Sequence, residues 1–476
     1  MDCTTLMGVE QQMCQYIVQQ LAQENFVCNG SLEYVLTLGD GSLACLNYTS
    51  PVEKVTGMLG NQDFISSGNA AWVLIGSALV MIMTPGVGLF YGGLAGEESV
   101  GNTLMMSFGA MMVVTVQWFL FGYSFAFGPG SSSMGSFEWG AYFGVGANPS
   151  GSYGVNIQHL CYAVFQLQFA QITPALISGA VIGRMKFTSY LIFIAIWTTI
   201  VYDPLAHWVW SLTINPETGT STALGWLGVL GALDFAGGTV IHISSGSAAL
   251  AAALVLGKRY NHREELKPHN VPMVVIGGTL LWFGWFGFNS GSAGAANNPA
   301  GTAFFNTHLA TAASTISWAV TERIFAKKIT ATGAMAGAVA GLVAITPACG
   351  FVDVWAALVI GLVVSPVCYG AAKAKTLIGV DDTLDSFAVH AVGGAVGAFC
   401  TGIFASPNVN SFSGAIYGFP MQLGFQMAAI CTAFIYSFVL TYILLEVMKR
   451  TIGVRVSDEI EQQGIDLSEH GGKAYQ

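Results

Sequence analysis

Two histidines stand inside long apolar runs of this chain. His242 closes the segment Asp234-Phe-Ala-Gly-Gly-Thr-Val-Ile-His242, and His390 closes Asp382-Thr-Leu-Asp385-Ser-Phe-Ala-Val-His390. Ionisable groups are expensive within a membrane, so such residues point first to function. Each histidine follows an aspartate that is placed to cap the start of its helix. A lone buried histidine is commonly a satisfied core group; two at matching positions shift the balance towards a shared task. Facing imidazoles can share one proton and offer both a donor and an acceptor. A metal pair would need Asp or Cys ligands at the same depth, and none are spaced for it. Ser244–Gly246 and Ser290–Ser292 only approach a G-x-S nucleophile motif. No catalytic residue, metal or cofactor is therefore expected, and the chain does not read as an enzyme. A dry conduit lined by imidazoles suits a small neutral molecule far better than a bare cation. A weak base fits, held as a cation at an aromatic mouth and stripped of its proton before it crosses.

The elements that must position these residues follow from composition. The chain has 476 residues, of which 9% are charged and 53% hydrophobic; an ordinary soluble domain is about 25% charged. Mean hydropathy is +0.59. The 59 glycines suit close helix packing in lipid. With 16 Lys+Arg and a net charge of −10 there is no basic surface for nucleic acid. Apolar runs able to cross about 30 Å of hydrocarbon recur at 71–94, 102–127, 157–182, 188–210, 235–257, 270–289, 301–322, 331–346, 352–371, 386–405 and 422–448. The run at 331–346 is short for a span, and 352–371 contains Pro366. No alternating strand pattern competes, so a barrel is not expected. The expectation is an all-α polytopic membrane protein with eleven transmembrane helices. With eleven spans, every Lys and Arg after Lys54 falls on one side, and the loops near 128–156, 211–234, 290–300 and 406–421 carry none. The positive-inside rule then puts the N-terminus outside and the C-terminus in the cytoplasm. Glu97 and Glu98 are acidic where that rule expects basic residues. Spans five and ten run in opposite directions, the pattern of a five-plus-five inverted repeat with one final helix.

Three regions are expected: an extracellular segment at 1–67, a transmembrane domain at 68–449 and a cytoplasmic tail at 450–476. The first lacks the basic and apolar regions of a standard signal peptide. It contains Cys3, Cys14, Cys28 and Cys45, candidates for two disulfides in any of three pairings. It also carries glycosylation sequons at Asn29 and Asn47. Free thiols and chance sequons are the plainer alternative. The other five cysteines read as small core residues.

Several motifs together resemble the Amt/Mep family of ammonium transporters. The most specific is Gly231-Ala-Leu-Asp-Phe-Ala-Gly-Gly-Thr-Val-Ile-His242. Met83-Thr-Pro-Gly, Phe90-Tyr91-Gly92-Gly93, Gly287-Phe-Asn-Ser-Gly-Ser-Ala293, Asp381-Asp-Thr-Leu-Asp385 and Phe387-Ala-Val-His-Ala-Val-Gly-Gly394 support it. So do tail segments from Gly453-Val-Arg-Val456 to Ala474-Tyr475, and the likeness covers about 68–476. It implies an eleven-helix protomer in a homotrimer within the lipid bilayer of the plasma membrane, with ammonium or ammonia as cargo. It implies an outer ammonium site at Trp210, Phe169 and Ser292, with Asp234 favouring the cation electrostatically or ordering that mouth. It also implies a ring gate of Phe165 or Phe169 with Phe288, proton handling by His242 and His390, and inner-mouth structural roles for Asp382 and Asp385. The tail is expected to touch a neighbouring protomer, and Ser468 aligns with a phosphorylated threonine of some plant relatives. The acidic Glu97-Glu98 loop weakens the case for a cytoplasmic PII-type regulator. Asp203 departs from the bacterial pattern; its expected part is to cap the break at Pro204. A Rhesus-type ammonia gas channel and an ammonium sensor signalling through the tail are the alternatives.

Overall fold

A computed structural model describes residues 33–37, 43–47, 65–154, 156–215, 220–262, 267–377 and 379–475. The chain divides into two compact units, 1–64 and 65–476. In the first, strands β1 (Glu33–Thr37) and β2 (Leu43–Asn47) pair antiparallel, with Val35 opposite Cys45. Of the expected disulfide and glycosylation residues, Cys3, Cys14, Cys28 and Asn29 lie outside the described residues. Only the backbone of Cys45 and Asn47 is described, on β2.

The second unit is a helical bundle. Its long helices are α1 (Ser67–Leu94), α2 (Glu97–Phe127), α3 (His159–Ala180), α4 (Phe187–Trp210), α5 (Gly238–Leu256), α6 (Val271–Ser290), α7 (Asn298–Phe325), α8 (Ala331–Ile345), α9 (Val354–Lys375), α10 (Phe387–Phe404) and α11 (Met421–Thr451). Among the described residues, nine of these are both long and apolar enough to cross a membrane. The protein is therefore a multi-pass membrane protein. Helix α7 has 28 residues, but a polar stripe lowers its hydropathy. That stripe is turned inward: Asn306 donates to the carbonyls of Cys349 and Val352, and Ser314 bonds Ser365 of α9. Helix α8 has only 15 residues. Pro366 is carried inside α9, which continues past the expected limit to Lys375. Neighbouring chain absorbs the backbone groups that such a proline frees.

Helix starts obey local capping. Ser66 accepts from the Asn69 N–H, Asn297 from Ala300 and Thr330 from Gly333. The expectation of a purely helical chain needs amendment. Besides the β1–β2 pair, β3 (Leu212–Ile214) and β4 (Ser221–Ala223) form a small hairpin after α4. Three-residue strands in a polar loop leave no hydrophobic period to read.

Asp203 also differs from expectation. Its carboxylate does not close the break before Pro204; Gln117 of α2 donates to it at 2.7 Å and also reaches Thr199 at 3.1 Å. A buried carboxyl in an apolar bundle takes whatever donor lies opposite, and here that is the neighbouring helix.

After α11 the tail forms α12 (Asp458–Gln463) and α13 (Ile465–His470) and folds onto its own chain. The Asp466 carboxylate accepts from the backbone N–H groups of Gly101 and Asn102 at 2.7 Å each, at the start of α2. Glu469 accepts from the Phe187 N–H at the start of α4. Backbone bonds join Lys186 to Val454 and Val456 to Arg184. Carboxylates at helix starts meet free N–H groups and the positive end of the dipole.

Helices α5 and α10 cross where their backbones almost touch. A Cβ on Gly246 would run into the backbone nitrogen of Ala391, one residue from His390. A Cβ on Gly394 would lie 2.9 Å from the Gly238 carbonyl and 3.0 Å from the His242 Cβ. Small residues at a helix crossing permit this approach. Gly246→Val is expected to force the two helices apart and to cost about 1–3 kcal/mol or more of stability. Thermal unfolding in detergent checks this, and an unchanged midpoint would count against the close crossing.

Candidate functional site

The two histidines meet at that crossing. Their Nδ1 atoms are 3.3 Å apart and their rings lie 5.4 Å apart, nearly parallel. His242 is 1% exposed and His390 3%. Both helices begin in the same way. Each opens with a wide π turn, Gly238–Ile243 in α5 and Phe387–Val392 in α10, and each histidine sits within that turn. Such turns gather at functional sites. An aspartate caps each. Asp234 accepts from the N–H groups of Gly237, Gly238, Thr239 and Val240 at 2.7–3.1 Å. Asp382 accepts from Ser386 and Phe387 at 3.1 and 2.9 Å. Asp234 is thus occupied on both oxygens and orders backbone. Its own carbonyl accepts from the Trp210 indole N–H at 2.8 Å, which holds that ring in place.

From Trp210 to His390 the rings form a column. Phe169 meets Trp210 edge-on at 6.3 Å and Phe288 at 4.4 Å. Phe288 lies 6.0 Å from His242, and the Phe165 ring lies tilted against Phe169 at 4.9 Å. Above the Phe169–Phe288 pair is a cavity of about 350 Å³. Trp210, Phe165, Phe169, Ser292 and Asp234 all line it. The Ser292 hydroxyl donates to the Phe288 carbonyl at 2.7 Å, so its oxygen keeps lone pairs for another donor. The cavity therefore offers aromatic faces and an acceptor, which is what a small cation that donates hydrogen bonds requires.

Just before the start of α10, Lys375 pairs with Asp385 at 2.8 Å and lies 3.5 Å from the Asp382 carboxylate. Lys375 also donates to the Asp382 carbonyl. Asp385 adopts a left-handed backbone with φ 61°. Arg259 forks onto the neighbouring Asp381 at 2.8 Å, and buried Arg184 donates to the Asp381 carbonyl and to Thr383. These groups rigidify the loop from which α10 starts. Ser468 lies apart from all of this, on α13, with its hydroxyl donating to Ile465.

The structure thus brings Trp210, Phe169, Phe165, Ser292 and Asp234 to one cavity and carries the ring column on through Phe288 to His242 and His390. Sequence reasoning assigned no role to Tyr91, Ser386 and Trp285. Trp285 stacks on His242 at 5.4 Å, and its N–H is taken by Thr346. The Tyr91 hydroxyl lies 3.4 Å from His390 Nε2 and 3.3 Å from Ser386. Residue type was the one available signal: a phenol or an indole within an apolar run needs a partner for its polar atom.

The model of the Ammonium Transporter Family matches residues 71–475. The ammonium transporter of Bacillus subtilis is 44% identical over 412 residues, covering 86% of this chain and 98% of that protein. Ammonium transporter 1 of Schizosaccharomyces pombe is 44% identical over 433 residues, covering 87% and 83%. Among solved structures, Candida albicans Mep2 aligns with a TM-score of 0.79 at 35% identity, over 88% of this chain and 93% of that one. A family model that takes in the bundle, both histidine segments and the tail leaves one assignment: the chain belongs to the ammonium transporter family.

Proposed function

We propose that this protein moves ammonium across the plasma membrane by binding it as a cation, removing its proton and conducting ammonia past the paired histidines. The ring column from the cavity to His390 carries this proposal. Ammonium enters the cavity at Trp210 and Phe169 and donates to the Ser292 oxygen. Each aromatic face is worth about 0.5–2 kcal/mol to the cation. Phe165, Phe169 and Phe288 act as the gate. The Phe169 and Phe288 rings, 4.4 Å apart, leave no polar surface to hydrate an ion; potassium and sodium have no proton to give up and bear the full cost of a bare charge there, whereas ammonium sheds its charge to His242 as it passes. Beyond the gate the first polar side chains are His242 and His390, which take up the proton and hydrogen-bond the neutral cargo. Asp234 and Asp382 hold the two π turns, while Lys375 and Asp385 brace the inner mouth.

In this reading the chain crosses the bilayer eleven times, as a five-plus-five inverted repeat and a final helix. The cavity faces outside and the tail lies in the cytoplasm. Three copies assemble, each with its own pore. Phosphorylation of Ser468 would place charge next to Glu469, which holds the start of α4, and so loosen the tail. The aromatic cavity favours cation capture over a gas-only channel, which would have no use for it.

Two substitutions test the proposal by uptake in a cell or vesicle lacking other ammonium transporters. Trp210→Leu is expected to raise the half-saturating ammonium concentration about 2- to 30-fold, the ratio that matches one lost cation–aromatic contact. An unaltered value argues against the mouth site. His242→Ala combined with His390→Ala is expected to wet the conduit and admit potassium. Potassium exclusion that survives in the double variant would remove the histidines from the mechanism.

A further inference from the structure

The hydrogen bonds around Tyr91 decide which nitrogen of each histidine carries its proton. The Tyr91 hydroxyl has three polar neighbours: the Leu176 carbonyl at 3.2 Å, Ser386 Oγ at 3.3 Å and His390 Nε2 at 3.4 Å. A carbonyl can only accept, so the phenol proton goes to Leu176. The phenol oxygen is then left with its lone pairs, and the other two neighbours must donate to it. The Ser386 hydroxyl can do so. His390 can do so only as the tautomer protonated on Nε2, which leaves its Nδ1 bare. The Nδ1 contact of 3.3 Å between the rings is then bridged by a proton on His242 Nδ1. The remaining nitrogen, His242 Nε2, keeps a lone pair. It is buried and has no hydrogen-bond partner among the described residues. His242 is also the first of the two rings after Phe288.

We infer that Tyr91 is a positioning residue which, through the Leu176 carbonyl and His390, holds His242 as the tautomer whose bare Nε2 meets the incoming ammonium. This rests on the proposed proton-handling role of the two histidines. The step it prepares is a single transfer. One N–H bond of ammonium breaks, a proton bonds to His242 Nε2, ammonia is left, and the positive charge passes to the imidazole. Tyr91 itself conducts nothing, because the Leu176 carbonyl cannot take a proton onward. The same geometry explains why a phenol stands here in a span otherwise apolar. Without its oxygen, His390 Nε2–H would be buried with no acceptor. The opposite tautomer would leave His242 Nε2–H equally buried and without an acceptor, so the preference is lost and the two tautomers mix. In the molecules that turn over, His242 Nε2 would carry the proton and could no longer accept one.

The test is solid-state 15N spectroscopy of histidine-labelled protein in lipid, with the His242 and His390 signals assigned by their loss in the corresponding alanine variants. In the unaltered protein the expected result is protonated Nε2 and bare Nδ1 on His390, with the reverse on His242. In Tyr91→Phe, which keeps the ring, the single pattern is expected to give way to a mixture of both tautomers on each ring. The maximal uptake rate should fall in proportion to the share of His242 that then carries its proton on Nε2, with the half-saturating concentration unchanged. A bare Nδ1 on His242 in the unaltered protein overturns the inference without any variant. A retained pattern and rate in Tyr91→Phe overturns it as well. Either result leaves the role of the histidines standing, because that role is judged separately by potassium exclusion in the double alanine variant.

Discussion

A polar pair in the dry centre of a membrane bundle persists only if its members satisfy each other. The Nδ1 contact between His242 and His390 is that interaction, and much of the second unit serves it. Glycine at 246 and 394 lets α5 and α10 approach until their backbones nearly touch. Two aspartates gather the free N–H groups of the π turns, so that each histidine enters the crossing at a set depth. Arg184, Arg259 and Lys375 hold the loop before α10 in turn. Their common effect is to remove freedom from two rings that would otherwise find other partners.

The column above the histidines follows a different economy. Its members are aromatic, and packing rather than hydrogen bonding sets their order. Phe288 contributes twice: its ring packs against Phe169, and its carbonyl accepts from the Ser292 hydroxyl, which frees the serine oxygen to accept. Asp234 also has two parts, since its carboxylate caps α5 while its carbonyl orients Trp210. The cavity and the histidine pair are therefore joined through one short stretch of backbone, 234–242. A change at either end is felt at the other through covalent geometry as well as through contact.

The strongest local signals in the chain concern hydrophobic length and charge placement. The expected spans lie close to the observed helices, because crossing hydrocarbon demands long apolar runs whatever the neighbours are. Helix α7 satisfies that demand less well, since its polar stripe is paid for by partners on α9 and in the loop at 349–352. Those partners are remote in sequence, so the stripe could not be understood locally. Asp203 is a similar case: its donor Gln117 is 86 residues away. The tail was legible as a distinct segment. That it closes onto the starts of α2 and α4 of its own chain depended on where those N–H groups lie in space.

Sequence alone determined that the chain is a membrane bundle and that two Asp-to-His segments match, whereas Trp210, Phe169, Phe288 and Ser292 were joined to them only by the family resemblance. Composition, period and motif spacing are local properties and survive in one dimension. Tertiary structure alone decided that the histidines face each other through Nδ1, that both Asp234 oxygens are spent on backbone, and that Tyr91 reaches His390. The direction of a hydrogen bond depends on which donors and acceptors surround an atom. Residues 91, 176, 386 and 390 come from three separate helices and the turn before one of them, and no periodicity brings them together.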